Sequence, residues 1–199
     1  MKLPFQAYNP TWETQFEIIK NELQIELALL QPQVEHIGST SVKGLSAKPV
    51  IDVLIGVNNE IELDKVPLLL AGKDYVYYEK YNEDMPYRRF FLKLTDTAAQ
   101  LGFPGTIHIG EEIPDQLHDH DFRIAHIHVM VLHSRHWLRH IAFRDYLRTH
   151  PEVVKEYQAL KEHLVKQEWQ DGNDYNDAKD AFVKREEQNA VNWYQHNKA

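Results

Sequence analysis

Residues 50 to 57 read Val50-Ile51-Asp52-Val53-Leu54-Ile55-Gly56-Val57, apolar except for one carboxylate. A β-branched run this dense is a strand covered on both faces, so the chain must supply a layer above it and a layer below. An ionised aspartate within such a strand needs a partner or a purpose. Asp52 is therefore the first candidate for chemistry.

The flanking patterns supply those layers. Trp12, Phe16, Ile19, Leu23, Leu27 and Leu30 recur at helical spacing after Thr11, the expected N-cap, and the helix should end near Pro32. Val34 to Ile37 reads as a short strand, and Gly38 to Lys48 as a loop. Glu60 to Ala71 reads as a helix stopped at Gly72, with Pro67 an awkward interior residue. Aromatic strands at Tyr75–Tyr81 and Tyr87–Leu94 flank Asn82-Glu83-Asp84-Met85-Pro86, which predicts a hairpin. Residues 96–121 hold three glycines and two prolines with little periodicity, which makes them the best candidate for a long, mobile excursion. Ile124 to Leu132 alternates as a strand. Helical patterns follow from His136 and from Pro151, and a last helix from Ala178 after the break Asp171-Gly172-Asn173-Asp174. The expectation is one α+β domain over residues 1–199, with a sheet-containing core in 1–132 and C-terminal helices in 133–199.

With 199 residues, the chain can bury roughly 70% of its unfolded surface in a single core. A net charge of −8 disfavours a generic grip on nucleic acid, so any bound anion must be held by local cations. The absence of cysteine excludes disulfides, thiolate nucleophiles and thiolate-bound metals. Pro4 and Pro10 interrupt the first ten residues and no apolar stretch is long enough to span a bilayer, so a soluble cytoplasmic protein without membrane contact is expected. Eight of the twelve histidines fall between His108 and His140, which brings metal and proton chemistry into consideration.

The sharpest motif is His36-Ile37-Gly38-Ser39-Thr40-Ser41 followed by Lys48-Pro49-Val50-Ile51-Asp52-Val53. A Gly-Ser corner lets backbone amides and a hydroxyl approach a phosphate, and an aspartate on the next strand can hold a divalent cation there. A tight turn beside a hydrogen-bonded aspartate is the plainer alternative. These residues, with His126-Ile127-His128-Val129, Phe143-Arg144-Asp145-Tyr146-Leu147-Arg148 and Tyr157-Gln158-Ala159-Leu160-Lys161, closely resemble the GrpB family in order along nearly the whole chain. That family looks like a branch of the nucleotidyltransferase superfamily, which implies a mixed β-sheet with flanking helices and a C-terminal helical segment.

Under that resemblance Gly38 and Ser39, with Thr40 beside them, match the phosphate-contacting corner, and Asp52 matches the first metal carboxylate. The place of the second carboxylate holds Leu54, which has no ligand atom. Period-two alternation puts His126 and His128 on one face of their strand, where they can stand in for missing carboxylates; His36 is a third imidazole or a loop anchor. The expected metal ligands are Asp52, His126, His128 and His36, around Mg or Mn with Zn as an alternative. Asp52 and His128 are the expected catalytic residues. Lys48, Arg88 and Arg144, with Arg123, are the expected phosphate cations; Arg88 and Arg89 must point to opposite faces, and for Arg144 a carboxylate pair is the alternative.

The His118-Asp119-His120-Asp121 run reads as a solvated loop, and Tyr77, Tyr78, Tyr81, Phe90 and Phe91 as sheet core rather than a base-stacking platform. No nucleophile elbow, dinucleotide fingerprint, Walker loop or zincin helix occurs. The expected function is metal-dependent nucleotidyl transfer with a nucleotide or other phosphorylated small molecule. The alternatives are an inactive nucleotide-binding or scaffold module and a His/Asp metal-dependent phosphohydrolase; a homodimer stays open.

Overall fold

The computed structural model describes residues 4–118, 120–169 and 172–198. It contains five helices, α1 (Thr11–Glu26), α2 (Glu60–Leu70), α3 (Arg135–Thr149), α4 (Pro151–Leu164) and α5 (Gly172–Lys198). Six strands, β1 (Gln33–Ile37), β2 (Ile51–Val57), β3 (Tyr75–Tyr78), β4 (Arg88–Leu94), β5 (Thr106–Ile107) and β6 (Arg123–Val131), form one mixed sheet in the order β1-β2-β6-β4-β3-β5. The central pair β2 and β6 is parallel, with Asp52 opposite His126 and Leu54 opposite His128. Antiparallel β1 and β4 flank that pair, and β3 joins β4 as the expected hairpin.

The two faces of β2 have different neighbours, which is what the apolar run required. Val53, Ile55 and Val57 pack with Trp12, Phe16, Leu23 and Leu27 of the α1 segment and with Leu63, Val66 and Leu70 of α2. Leu54 faces the other way, into a cluster with Ile37, Met130, Trp137 and Ile141 of α3. Gly56 makes that approach feasible, because a Cβ there would stand 2.2 Å from Leu132 and 2.8 Å from the Trp137 ring. α4 and α5 cover residues 42–45 through Val42, Leu45, Tyr157 and Phe182. Among the described residues no helix is long and apolar enough to cross a membrane.

Three expectations need correction. Thr11 is the first residue of α1 rather than its cap: Pro10 is already helical, and the Asn9 side chain accepts from the Thr11 amide at 3.0 Å. The excursion over 96–121 is packed, since Ala98, Ile107 and Leu117 join Val76, Tyr78, Leu92 and Leu94 in a second core and Thr106–Ile107 add a strand beside β3. Its apolar residues lack a period because each turn of irregular backbone buries one or two of them. The last helix begins at Gly172, earlier than its apolar pattern suggests; Asp171 of the expected break lies outside the described residues.

Candidate functional site

At the C-terminal end of β1 the chain turns at Gly38, with φ +70, into a single 3-10 turn over Ser39–Ser41. Its Cα lies against the Asp52 side chain so closely that a Cβ would fall 2.3 Å from Oδ2 and 2.9 Å from the Asp52 Cβ. Glycine is needed here twice over, for its conformation and for its lack of a side chain. The loop that follows is held by the C-terminal helices. Arg148 donates to the Ser41 carbonyl at 3.0 and 2.9 Å, Gln158 accepts from the Ser46 amide and donates to its hydroxyl at 2.8 Å each, and Lys161 donates to the Ser46 carbonyl. The Arg144 and Tyr157-to-Lys161 runs thus act by tying the helices to this loop.

Between loop, sheet and helices lies a cavity of about 250 Å³, lined by Ser39, Thr40, Lys48, Asp52, His126, His128, Lys161 and Lys179 together with Phe5, Ala47, Val50 and Tyr175. On its floor His126 Nδ1 meets Asp52 Oδ1 at 3.0 Å. With the Nδ1 proton pointed at the carboxylate, Nε2 is the basic nitrogen of His126. Above them Lys161 donates to Ser39 Oγ at 3.2 Å and lies 4.5 Å from the Tyr157 ring centre, while Lys48 and Lys179 approach the Tyr175 ring at 5.3 and 4.9 Å. Burial lowers Lys161 to about 7 and, with Lys179 and Arg123 adding repulsion, lowers Lys48 to about 8. Burial lowers Lys179 as well.

A buried lysine elsewhere shows what is unusual here. Lys93 meets Glu22 at 2.6 Å and also Asp74, so its charge is answered within the fold. Among the described residues no carboxylate forms an ion pair with Lys48, Lys161 or Lys179, and Asp52 is the sole carboxylate lining the cavity. Three lysine side chains around one carboxylate in a water-accessible cavity give it the electrostatic character that attracts an anion.

Of the residues expected from sequence, the fold brings Ser39, Thr40, Lys48, Asp52, His126 and His128 to this cavity, with Gly38 immediately behind Asp52. His36 is on the other face of the sheet, paired in register with Val53, stacked on Phe16 at 4.6 Å and bonded to Thr40 Oγ1 at 2.9 Å. It is a loop anchor, and its burial lowers it to about 4. Without it the phosphohydrolase reading loses its third imidazole. Arg144 is not at the cavity either; it is spent on Glu35 at 2.6 Å, Asp145 at 2.9 Å and the His36 carbonyl at 3.3 Å. Arg123 donates to the Leu117 carbonyl at 2.7 Å and pins the excursion. Arg88 adjoins His128 at 3.4 Å, while Arg89 points away to Asp64, as alternation requires. Within the His118–Asp121 run, Asp119 and the His120 side chain lie outside the described residues, and His118 is exposed.

Among the described residues no group of three or more His, Asp or Glu side chains is arranged to hold an ion. Leu54, at the place where the resemblance leads one to expect a second carboxylate, is fully buried against α3, and Asp52 already has His126 on Oδ1 and Gly38 against Oδ2. Three ammonium groups nearby oppose a dication. The donor set does not fit a protein-held metal.

Lys179 and Tyr175 are residues that sequence reading overlooked, and Tyr157 and Lys161 entered it only within a run that carries the resemblance, with no role at the site. The signal existed: Val153, Tyr157, Lys161 and Leu164 are the buried positions of α4, and a lysine occupies a core slot of that series.

The GrpB protein family model matches residues 3–189, nearly the full length. The chain belongs to the GrpB family. Relatives include the glutamate-rich protein GrpB of Alkalihalophilus pseudofirmus, 29% identical over 89% of this chain and 89% of that protein. YqkA of Bacillus subtilis is 29% identical over 96% of this chain, which spans about half (48%) of YqkA's length. The crystal structure of conserved protein GrpB from Enterococcus faecalis superposes with a TM-score of 0.71 at 28% identity, covering 96% of this chain and 99% of that one. The six-stranded mixed sheet with its flanking and C-terminal helices is thus a GrpB fold.

Proposed function

We propose that the cavity binds a small phosphorylated molecule, a nucleotide or another phosphate ester, with a phosphate at Ser39 and Lys161 and further charge met by Lys48 and Lys179. The observation that carries this reading is the unanswered cationic character: buried Lys161 and half-buried Lys48 and Lys179 line a cavity whose one carboxylate among the described residues is Asp52, in a chain whose net charge is −8. Asp52 and His126 stand beside that site as a proton-handling pair. The reading extends to nucleotidyl transfer, in which an acceptor oxygen or nitrogen bonds to phosphorus, its proton passes to His126 Nε2, and the bond to the departing pyrophosphate breaks. The lysines then supply the positive charge toward which the leaving phosphates move. A second reading, binding without turnover, is favoured by Leu54 at the second-carboxylate position.

A thermal-shift panel of wild type and Lys161→Met against nucleoside mono-, di- and triphosphates, each with and without Mg, Mn or Zn, tests the binding claim. Saturation at 100 times Kd stabilises by about 2.7 kcal/mol. A phosphate-dependent shift lost in the variant supports the reading, and the ion-containing arms report whether substrate phosphates recruit a metal. No shift with any phosphate overturns it. Turnover of any shifting nucleotide separates transferase from binding module.

A further inference from the structure

Arg88 lies on the Asp52 face of the sheet, in register with Met130. Nη1 stands 3.4 Å from His128 Nδ1, the Phe90 ring centre is 5.2 Å away, and Nε is buried with no hydrogen-bond partner. Among the described residues no carboxylate forms an ion pair with Arg88, although its neighbour Arg89 has Asp64 at 2.6 Å. Arg139 of α3 adds repulsion to the cost of burying Arg88. Arg139 reaches His140 Nε2 at 3.4 Å and Glu187 at 3.3 Å, and its Nε too is buried without a partner.

The imidazoles do not offset this charge. His128 and His140 face each other with ring centres 5.9 Å apart. Burial, reinforced by the two arginines, lowers both, His140 to about 3, so both are neutral near pH 7. A guanidinium that is largely out of water and lacks a counter-ion lowers the stability of the ligand-free fold. Its position suits a counter-ion that arrives from outside. Arg88 also adjoins the lysine-lined cavity, because His128 is at once its neighbour and a wall of that cavity.

We propose that Arg88, with Arg139 beside it, forms a second anion subsite, so that the molecule this protein takes carries two separated anionic groups. The first, a phosphate, sits at Ser39 and Lys161 as proposed above, and the inference rests on that reading. The second, a phosphate or carboxylate, lies against Arg88 beyond His128. Two like-charged guanidiniums with unused N–H groups match a multi-oxygen anion better than a single hydroxyl or amide, because each presents planar, directional donors. A ligand with one phosphate would fill half the site and leave Arg88 unanswered.

The test uses flexible alkane diphosphonates, with three, five or eight carbons between the phosphonates, against ethylphosphonate, all titrated by calorimetry at about pH 6.5. At least one diphosphonate is expected to bind wild type about tenfold or more tighter than ethylphosphonate. Arg88→Met should abolish that advantage while leaving ethylphosphonate affinity within about twofold, and should raise the Tm of the ligand-free protein, since it removes an unpaired cation. Arg88→Lys, which retains the charge without the fork, should keep part of the advantage and serves if the methionine variant does not fold. Equal binding of mono- and diphosphonates, or an advantage that survives both substitutions, overturns the second subsite and leaves the first standing. Failure of every phosphonate to bind removes the phosphate reading itself.

Discussion

The Cα of Gly38 and the carboxylate of Asp52 occupy adjoining space with no room for a methyl group: a Cβ on Gly38 would lie 2.3 Å from Oδ2. The strand-to-loop corner and the site carboxylate therefore hold each other in place. Gly38→Ala is expected to destabilise by about 2–4 kcal/mol, combining a positive-φ penalty with displacement of Asp52. Denaturant unfolding measures it. Asp52→Ala should not restore the loss, because the Asp52 Cβ itself would be 2.9 Å from the new methyl.

Asp52→Asn separates holding an anion from moving a proton. The substitution removes the one negative charge lining a cavity with three ammonium groups, so inorganic phosphate should bind at least as tightly as to wild type at about pH 6, where the lysines are charged. Any turnover should fall about a hundredfold or more, because His126 loses the carboxylate that orients it. Weaker phosphate binding in Asp52→Asn would instead point to a cation bridging Asp52 and the phosphate.

The pH dependence follows from the lysines. Lys161 near 7 and Lys48 near 8 are charged at about pH 6 and largely neutral by about pH 9 in the ligand-free protein. Phosphate affinity should fall at least about tenfold over that interval, and binding near neutrality should take up protons, which calorimetry in buffers of different ionisation heat detects. Stability runs the other way. Both groups are lowered relative to the unfolded chain, so the unfolded state binds more protons between the folded and unfolded values, and these groups favour folding increasingly as pH rises from about 7 toward 10. Added phosphate should remove much of the penalty at the low end.

Lys161→Met sets two terms against each other. It removes a buried ammonium but leaves the Ser46 carbonyl without that donor, and each change is worth about 1–3 kcal/mol. The Tm of the free protein should therefore move little, while phosphate affinity drops about tenfold to a hundredfold. Calorimetry and a melting curve on the same preparation check both halves.

Arg144→Met should do the converse. Arg144 and Asp145 are 10% and 13% exposed at their side chains and Glu35 is 27% exposed, so solvent offsets only part of the loss. The expected cost is about 2–4 kcal/mol, with phosphate affinity of the folded protein unchanged. A Kd shift beyond about threefold would mean that the helix-to-loop tie tunes the cavity.

Much of the arrangement was legible along the chain because it is periodic. The apolar run of β2 announced a strand with two covered faces, and the alternation of β6 put His126 and His128 on one side before their partner was known. Asp52 stood out because its charge contradicts its surroundings. Arg144 was legible only as a cation: whether it meets a ligand or a carboxylate depends on Glu35, 109 positions away in sequence.

Local pattern by itself determined five of the six strands, most helix positions, the Gly38–Ser39 corner and the shared face of His126 and His128. These depend on spacings of two to four residues, over which backbone geometry is fixed. Tertiary structure alone decided which cations reach the cavity. Lys161 and Lys179 arrive on helices more than 100 residues downstream of the Gly38 corner, His36 is turned to the opposite face by its register with Val53, and Arg144 is drawn off by Glu35. Long side chains on separate elements meet only after packing sets the helices on the sheet, and no spacing along the chain encodes that distance.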